Sequence, residues 1–147
     1  MKQLDTGEYL SVLRSLVADG HEVGLTVFGG SMSPFLASRR DRVLLHPVDR
    51  PLMPGDIVCY QRPSGQFILH RICRVRPEGL YLAGDAQSVL EGPLPPERVF
   101  ARVSSAVRNG KTIGPGTFLW EFFARVWPRL LPFRRPIVSL WGTLRHL

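Results

Sequence analysis

Cysteine is scarce in this sequence: of 147 residues, only Cys59 and Cys73 carry a thiol. Two cysteines do not make the disulfide framework of a small secreted domain. Without histidines at ligand spacing they are also too few for a zinc site. We therefore expect both to be buried or idle thiols in a reducing compartment, and we expect no metal and no organic cofactor.

Long apolar runs are also missing. The longest candidate, Thr112–Trp120, ends at Glu121, well short of the roughly 18 uncharged residues that a membrane-spanning helix needs. Near the N-terminus, Asp5, Glu8 and Arg14 interrupt the apolar core that a secretory signal requires. We expect a cytoplasmic chain that does not span a membrane, and a peripheral contact with the inner membrane face stays open.

Lysine is nearly absent, since only two of the 19 basic residues are lysines; arginine carries the net charge of +7. Such a charge suits nucleic acid, an acidic peptide or anionic lipid. An arginine-rich composition also follows from a GC-rich genome, so charge alone assigns no partner. Because no pair of DNA-binding helices precedes the middle of the chain, we expect no nucleic-acid partner.

The residues that are abundant indicate a mainly β fold. Hydrophobic residues make up 44% of the chain, and 13 prolines and 14 glycines supply turns. Many turns in a short chain favour short strands over long helices. The pattern predicts an N-terminal helix within residues 1–21, a β domain over 22–114 and an amphipathic helical segment over 115–147.

The N-terminal helix is predicted over residues 5–19. Asp5 and Glu8 have the spacing of a capping box, and Gly20 is a typical helix stop. Its apolar stripe at helical period consists of Leu10, Leu13, Leu16 and Val17.

Short apolar and β-branched runs predict strands through the middle of the chain. These runs cover residues 23–27, 41–48, 57–62, 67–76, 80–83, 98–108 and 111–113. Pro63-Ser64-Gly65-Gln66 and Asn109-Gly110 are typical of hairpin turns.

The C-terminal segment is nearly all apolar over Thr117–Leu131. Pro128 must kink or break this helix, and a second short helix is predicted over 137–147. Its charged positions, spaced four apart, are Glu121, Arg125 and Arg129. Aromatic residues beside arginines suit a membrane surface, or the helix packs on the β body or on a partner; both interpretations stay open.

Ser31 lies in Gly29-Gly30-Ser31-Met32-Ser33-Pro34, directly after a predicted strand. Glycines let the backbone turn sharply and approach a substrate, so the serine hydroxyl can be exposed there. Taken alone, the motif is more typical of a plain turn, because Gly, Ser and Pro are also common turn formers.

His70 lies inside the predicted strand 67–76, and strand alternation puts it on one face with Ile68 and Ile72. Burial between isoleucines lowers the pKa of an imidazole and keeps it neutral, as a general base requires. The other interpretation is a core histidine bonded to a backbone carbonyl. Asp85, after Gly84, and Glu91 are carboxylates that could orient the ring.

These motifs together resemble a known family. The run 29–34 resembles the serine box of type I signal peptidases and their SOS-repressor relatives, small-x-Ser-Met-x-Pro. Pro54-Gly55-Asp56-Ile57-Val58 resembles the family's Gly-Asp-hydrophobic strand start. His70-Arg71-Ile72 and Gly84-Asp85 are similar to its third and fourth boxes. The resemblance covers about residues 23–107 and implies a signal-peptidase-like body of coiled β-hairpins.

The resemblance also implies residue roles. The bacterial branch uses a Ser–Lys dyad, but the β region here has no lysine before Lys111. The chain looks closer to the archaeal and endoplasmic-reticulum type, with Ser31 as nucleophile and His70 as base. Asp85 matches the family acid, and Glu91 lies where relatives often carry a second aspartate, so the supporting acid stays open.

Further roles implied by the resemblance concern substrate binding. Gly30, Met32 and Pro34 are the expected substrate-binding or oxyanion residues, with the Ser31 N–H among the oxyanion donors.

The predicted function is a serine-type endopeptidase that cleaves a signal or leader peptide from a precursor, after small residues. Because the transmembrane anchor of classical signal peptidases is not seen, the chain looks closer to small anchorless members. The alternative is a catalytically inactive module that binds peptide or regulates a partner.

Overall fold

The computed structural model describes residues 6–133. The helices and strands in chain order are α1 (Thr6–Ala18), β1 (Val23–Thr26), β2 (Arg42–His46), β3 (Ile57–Gln61), β4 (Phe67–Arg76), β5 (Gly79–Ala83), β6 (Glu91–Leu94), a 3-10 helix (Pro96–Arg98), β7 (Val99–Arg108), β8 (Lys111–Ile113), α2 (Phe118–Arg125) and a second 3-10 helix (Trp127–Phe133). The prediction of a mainly β fold with a helix at each end is confirmed.

All eight strands belong to one antiparallel sheet with the order β1-β2-β7-β3-β4-β5-β6, and β8 pairs with β7. The ten-residue β7 joins the two halves of the sheet, because it pairs with β2 along one part and with β3 along another. β1 and β6 therefore lie at the two ends of this order.

Local turn chemistry explains the two predicted hairpins. Asn109 and Gly110 both have positive φ, 51° and 82°, as the two-residue turn between β7 and β8 requires. Gly65 has a φ of 94° in the turn between β3 and β4. Strand β6 escaped prediction because Gly92 and Pro93 are typical strand breakers. Its position at the end of the strand order tolerates a proline, since within residues 6–133 β6 pairs with β5 alone and its other side has no N–H to supply to a strand.

Apolar residues are buried on both faces of the sheet. On one face, Leu13 and Val17 of α1 pack with strand residues and with Phe123 and Trp127. The smaller cluster on the other face consists of Val58, Tyr60, Ile68, Ile72, Leu80, Leu82 and Val99. Both cysteines are buried thiols, as expected, and burial raises the pKa of Cys59 to about 12.

The C-terminal elements pack against the β body. α2 ends before Pro128, as predicted, and Phe123 is only 6% exposed whereas Phe118 is 81% exposed. Among residues 6–133, no helix is long and apolar enough to cross a membrane. Asp5 of the predicted capping box and the predicted helix 137–147 lie outside the described residues.

Candidate active site

The Ser31 turn is held by its flanking backbone. The Val27 N–H donates to the Asp41 carbonyl, and the Arg39 N–H donates back to the Val27 carbonyl, at 2.9 and 2.6 Å. Gly29 has a positive φ of 81°, and its N–H donates to Ser38 Oγ at 2.9 Å. The chain is thus closed into a loop with half-buried Ser31 near its start.

Buried side chains anchor the loop immediately after Ser31. Met32, Phe35 and Leu36 are 0–1% exposed and belong to the main core. Phe35 lies 4.8 Å from Phe123 of α2, centroid to centroid. Because rings that are well packed in a core do not move freely, α2 helps to fix the loop that carries the serine.

A second turn, at Gly84-Asp85, braces Ser31 from the other side. The Ala86 N–H donates to the Ser31 carbonyl at 2.8 Å. A Cβ atom placed on Gly84 would lie 2.4 Å from that carbonyl oxygen and 2.9 Å from Ser31 Cβ. Only glycine permits this approach, so Gly84 is part of what positions the serine.

His70 lies in β4, opposite Val58 of β3. Its neighbours on the same face, Ile68 and Ile72, belong to the smaller apolar cluster, as strand alternation predicted. The ring is 4% exposed, and burial lowers the pKa of His70 from 6.5 to about 4. The imidazole is therefore neutral at pH 7 and able to accept a proton.

The polar partners of His70 come from β3 and β6. Its Nδ1 lies 3.4 Å from the Tyr60 hydroxyl and 4.0 Å from Glu91 Oε2. The Tyr60 hydroxyl donates a hydrogen bond to Glu91 Oε2, and Arg62 Nε donates to Glu91 Oε1 at 2.9 Å. Tyr60 thus stands between the histidine and a carboxylate that an arginine holds in place.

The charges in this group favour an ionised Glu91. Burial acts to raise the pKa of Glu91, but the hydrogen bonds from Tyr60 and Arg62 outweigh it and leave that pKa below its ordinary value. Burial, and to a smaller extent the hydrogen bond to Glu91, raises the pKa of Tyr60 above its ordinary range. At neutral pH the group therefore contains a carboxylate, a neutral phenol and a neutral imidazole.

Asp85, the other acid left open by the sequence, lies elsewhere. Its carboxylate is wholly buried and accepts two hydrogen bonds from Arg71, at 2.8 and 2.9 Å. Arg71 also donates to the Gly55 carbonyl at 2.8 Å. Since Arg71 follows His70 in a strand, the two side chains point to opposite faces. Asp85 therefore supports the fold behind Ser31, and Glu91 is the acid beside His70.

Ser31 and His70 line the same cleft, which has a volume of about 340 Å³. Gly30 and Met32, two of the expected substrate-binding or oxyanion residues, also line it, together with an apolar wall from β1, β4 and α1. Pro34 does not belong to its lining among the described residues; its carbonyl faces Arg108 Nη2 at 3.4 Å. In residues 6–133 no hydrogen bond joins the Ser31 hydroxyl to His70, and such bonds often form only when a substrate is present.

Two open strand edges border the cleft. β1, whose end lines it, pairs with β2 on one side and has no further strand partner in the described part of the chain. The first four residues of β4, 67–70, pair with β3, and pairing with β5 begins only at Arg71. Unpaired strand edges can bind an extended peptide by adding it to the sheet.

Comparison with known proteins assigns no family. No protein-family model matches the chain, and no curated protein matches it. The resemblance to signal peptidases and SOS repressors therefore stays a prediction. Within residues 6–133 no three His, Cys, Asp or Glu side chains gather as a metal ion would require.

Sequence reasoning missed Tyr60 and Arg62. A signal for both was present, because the four-residue turn at Pro63–Gln66 sets the register that places Tyr60 opposite Ile68. Alternation then puts Tyr60 and Arg62 on the face of His70. The arrival of Glu91 from β6 depends on a strand that the sequence pattern did not predict.

Proposed function

We propose that this protein is a serine-type endopeptidase in which Ser31 is the nucleophile and His70 the general base. One observation carries the proposal: a loop-mounted serine and a buried, neutral histidine line one cleft between two open strand edges. A hydroxyl is a weak nucleophile until a base takes its proton. An extended peptide between the strand edges would present its carbonyl groups to this pair.

The proposed reaction is acyl transfer in two steps. Ser31 Oγ attacks the peptide carbonyl carbon while its proton passes to His70. That proton then goes to the leaving amine as the peptide bond breaks, which leaves an acyl-enzyme. A water molecule, deprotonated by His70, hydrolyses the ester and restores Ser31. The Ser31 N–H is the proposed oxyanion donor, and Glu91, rather than Asp85, is the proposed acidic support.

For the substrate we propose a signal or leader peptide on a precursor protein, cut after small residues. The support for this class is the resemblance of residues 23–107 to signal peptidases, together with an apolar cleft wall. Peripheral contact of residues 116–147 with a membrane remains part of the proposal. The exposed Phe118 at the start of α2 and the nearby Arg125 are the features that favour it.

A peptide-library digest read by mass spectrometry tests this function. The parent protein is compared with Ser31→Ala and with Ser33→Ala, a serine two residues away in the same loop that does not line the cleft. We expect the parent and Ser33→Ala to cut the same bonds and Ser31→Ala to cut none. The digest is repeated with vesicles containing anionic lipid, so that an interfacial requirement is met.

Two other results decide against the proposal. Cleavage that survives Ser31→Ala would assign the hydrolysis to another group or to a contaminant. If the parent cuts nothing under either condition yet retains library peptides on a column, the non-catalytic peptide-binding module is the better description.

A further inference from the structure

The hydrogen bonds around His70 determine which of its ring nitrogens carries the proton. A phenol has a single proton to donate, and the Tyr60 hydroxyl gives it to Glu91 Oε2. A carboxylate can only accept, so this direction is fixed while Glu91 is ionised. The Tyr60 oxygen then has only acceptor capacity left for His70 Nδ1, which lies 3.4 Å away.

We propose that Tyr60 and Glu91 act as positioning residues that hold His70 with its proton on Nδ1 and its lone pair on Nε2. The Nδ1–H donates to the Tyr60 oxygen, and the Tyr60 O–H donates to Glu91. Nε2 is thereby the nitrogen left to accept a proton from a group in the cleft. Tyr60 thus occupies the position in which a carboxylate would bond directly to the His70 ring. Because Glu91 fixes the direction of the Tyr60 O–H, it also fixes which nitrogen of His70 carries the proton.

Arg62 sets the orientation of Glu91. Its Nε donates to Oε1 at 2.9 Å, which leaves Oε2 for Tyr60. The Arg62 guanidinium also donates to Gln66 Oε1 at 2.9 Å, so it is fixed at the β3–β4 turn. The titratable and charged groups next to His70 are thus Tyr60 and Arg62 from the β3 side and Glu91 from β6.

An isosteric change should invert the arrangement. In Glu91→Gln the side-chain oxygen is expected to stay on Arg62, which can only donate, so the amide NH2 faces Tyr60. The Tyr60 oxygen then accepts from the amide and its O–H turns toward His70. Nδ1 must now accept, and the histidine proton moves to Nε2, the wrong nitrogen for a base.

Long-range ¹H–¹⁵N NMR of the imidazole rings at pH 7 measures the tautomer without any substrate. The chain has four histidines, and the signal that disappears in His70→Gln identifies the ring. We expect the Nδ1–H form in the parent, the Nε2–H form in Glu91→Gln, and loss of the fixed preference in Tyr60→Phe. Tyr81→Phe is the matched control, because it removes a hydroxyl that donates to Glu78 at 3.0 Å on the exposed surface.

The catalytic consequence rests on the proposed function, whereas the ring state does not. On a peptide that the parent cuts, we expect Glu91→Gln to lower kcat roughly a thousandfold or more, as a wrong tautomer does in serine peptidases, with KM little changed. Tyr81→Phe should match the parent. If His70 of the parent carries its proton on Nδ1 but the parent cuts no peptide, the peptidase proposal fails and this inference still holds.

The inference fails if the parent His70 carries its proton on Nε2, or if Glu91→Gln leaves the Nδ1–H form unchanged. Both Tyr60→Phe and Glu91→Gln are measured, so that the test survives if one variant fails to fold. Tyr60 is buried, whereas Glu91 lies on β6 at the end of the strand order. Far-ultraviolet circular dichroism and an unchanged spectrum for the other histidines identify a folded variant.

Discussion

Gly84→Ala tests whether the turn behind Ser31 positions it. The new Cβ would lie 2.4 Å from the Ser31 carbonyl oxygen, where ordinary contact begins at 3.4 Å, so the two turns must separate by about 1 Å. That separation strains the core and lengthens the bond from the Ala86 N–H to the Ser31 carbonyl. Overpacking costs about 1–3 kcal/mol and a lost hydrogen bond about 1 kcal/mol. We expect the free energy of unfolding to fall by roughly 2–4 kcal/mol.

The assay is urea unfolding followed by tryptophan fluorescence, with Gly114→Ala as the matched control. Gly114 also has an ordinary φ, and its added Cβ would meet Ser105 Cβ at a comfortable 3.6 Å. Because alanine restricts the unfolded chain more than glycine does, the control should be unchanged or up to about 1 kcal/mol more stable. On a cleaved peptide, Gly84→Ala should also lose on the order of a hundredfold in kcat, since a 1 Å displacement has that effect. A Gly84→Ala protein as stable and as active as the parent would refute this reasoning.

Two further predictions concern buried titratable side chains, those of His70 and Asp85. The unfolded chain binds a proton at His70 near pH 6.5, whereas the folded protein does so only near pH 4, so protonation of His70 costs no stability above pH 6.5 and costs progressively more as the pH drops toward 4. The expected loss of unfolding free energy is about 1.4 kcal/mol per pH unit and about 3 kcal/mol in all. Urea unfolding at several pH values between 7 and 4.5 should show that the unfolding free energy of His70→Gln falls less steeply with pH than that of the parent. Parallel curves for the two proteins would contradict this prediction. Asp85→Asn breaks a wholly buried ion pair with Arg71 and should lower the unfolding free energy by about 3–5 kcal/mol. The double variant Arg71→Met with Asp85→Leu should recover most of that loss in the same urea assay, and a loss as large as that of Asp85→Asn would count against this account of the pair.

The parts of the fold that sequence predicted are those governed by local chemistry. Residues 67–76 and 111–113 alternate or carry β-branched side chains, and they form β4 and β8 with those bounds. The Asn109-Gly110 turn follows from the positive φ that these two residues accept. The helix break before Pro128 follows from the missing proline N–H.

The parts that escaped prediction depend on contacts between distant residues. Nothing local in Gly92-Pro93 indicates a strand; it pairs because β5 offers an edge. Which acid lies beside His70 depended on where Arg71 points, because Arg71 binds Asp85. The direction of Arg71 follows from strand alternation, and its meeting with Asp85 follows from the position of the turn after β5. A sequence pattern supplies the candidates for a site, and the register of neighbouring strands selects among them.

Trp127, the first residue of the second 3-10 helix, is bonded to the turn beside Ser31. Its indole N–H donates to the Asp85 carbonyl at 2.8 Å, in the same turn that abuts Ser31. A row of aromatic contacts leads the same way, from exposed Phe118 through Phe122 and Phe123 to Phe35. The side chains of α2 and the loop that carries Ser31 are therefore joined by a continuous series of ring contacts, so a substitution that displaces Phe123 is expected to displace that loop as well.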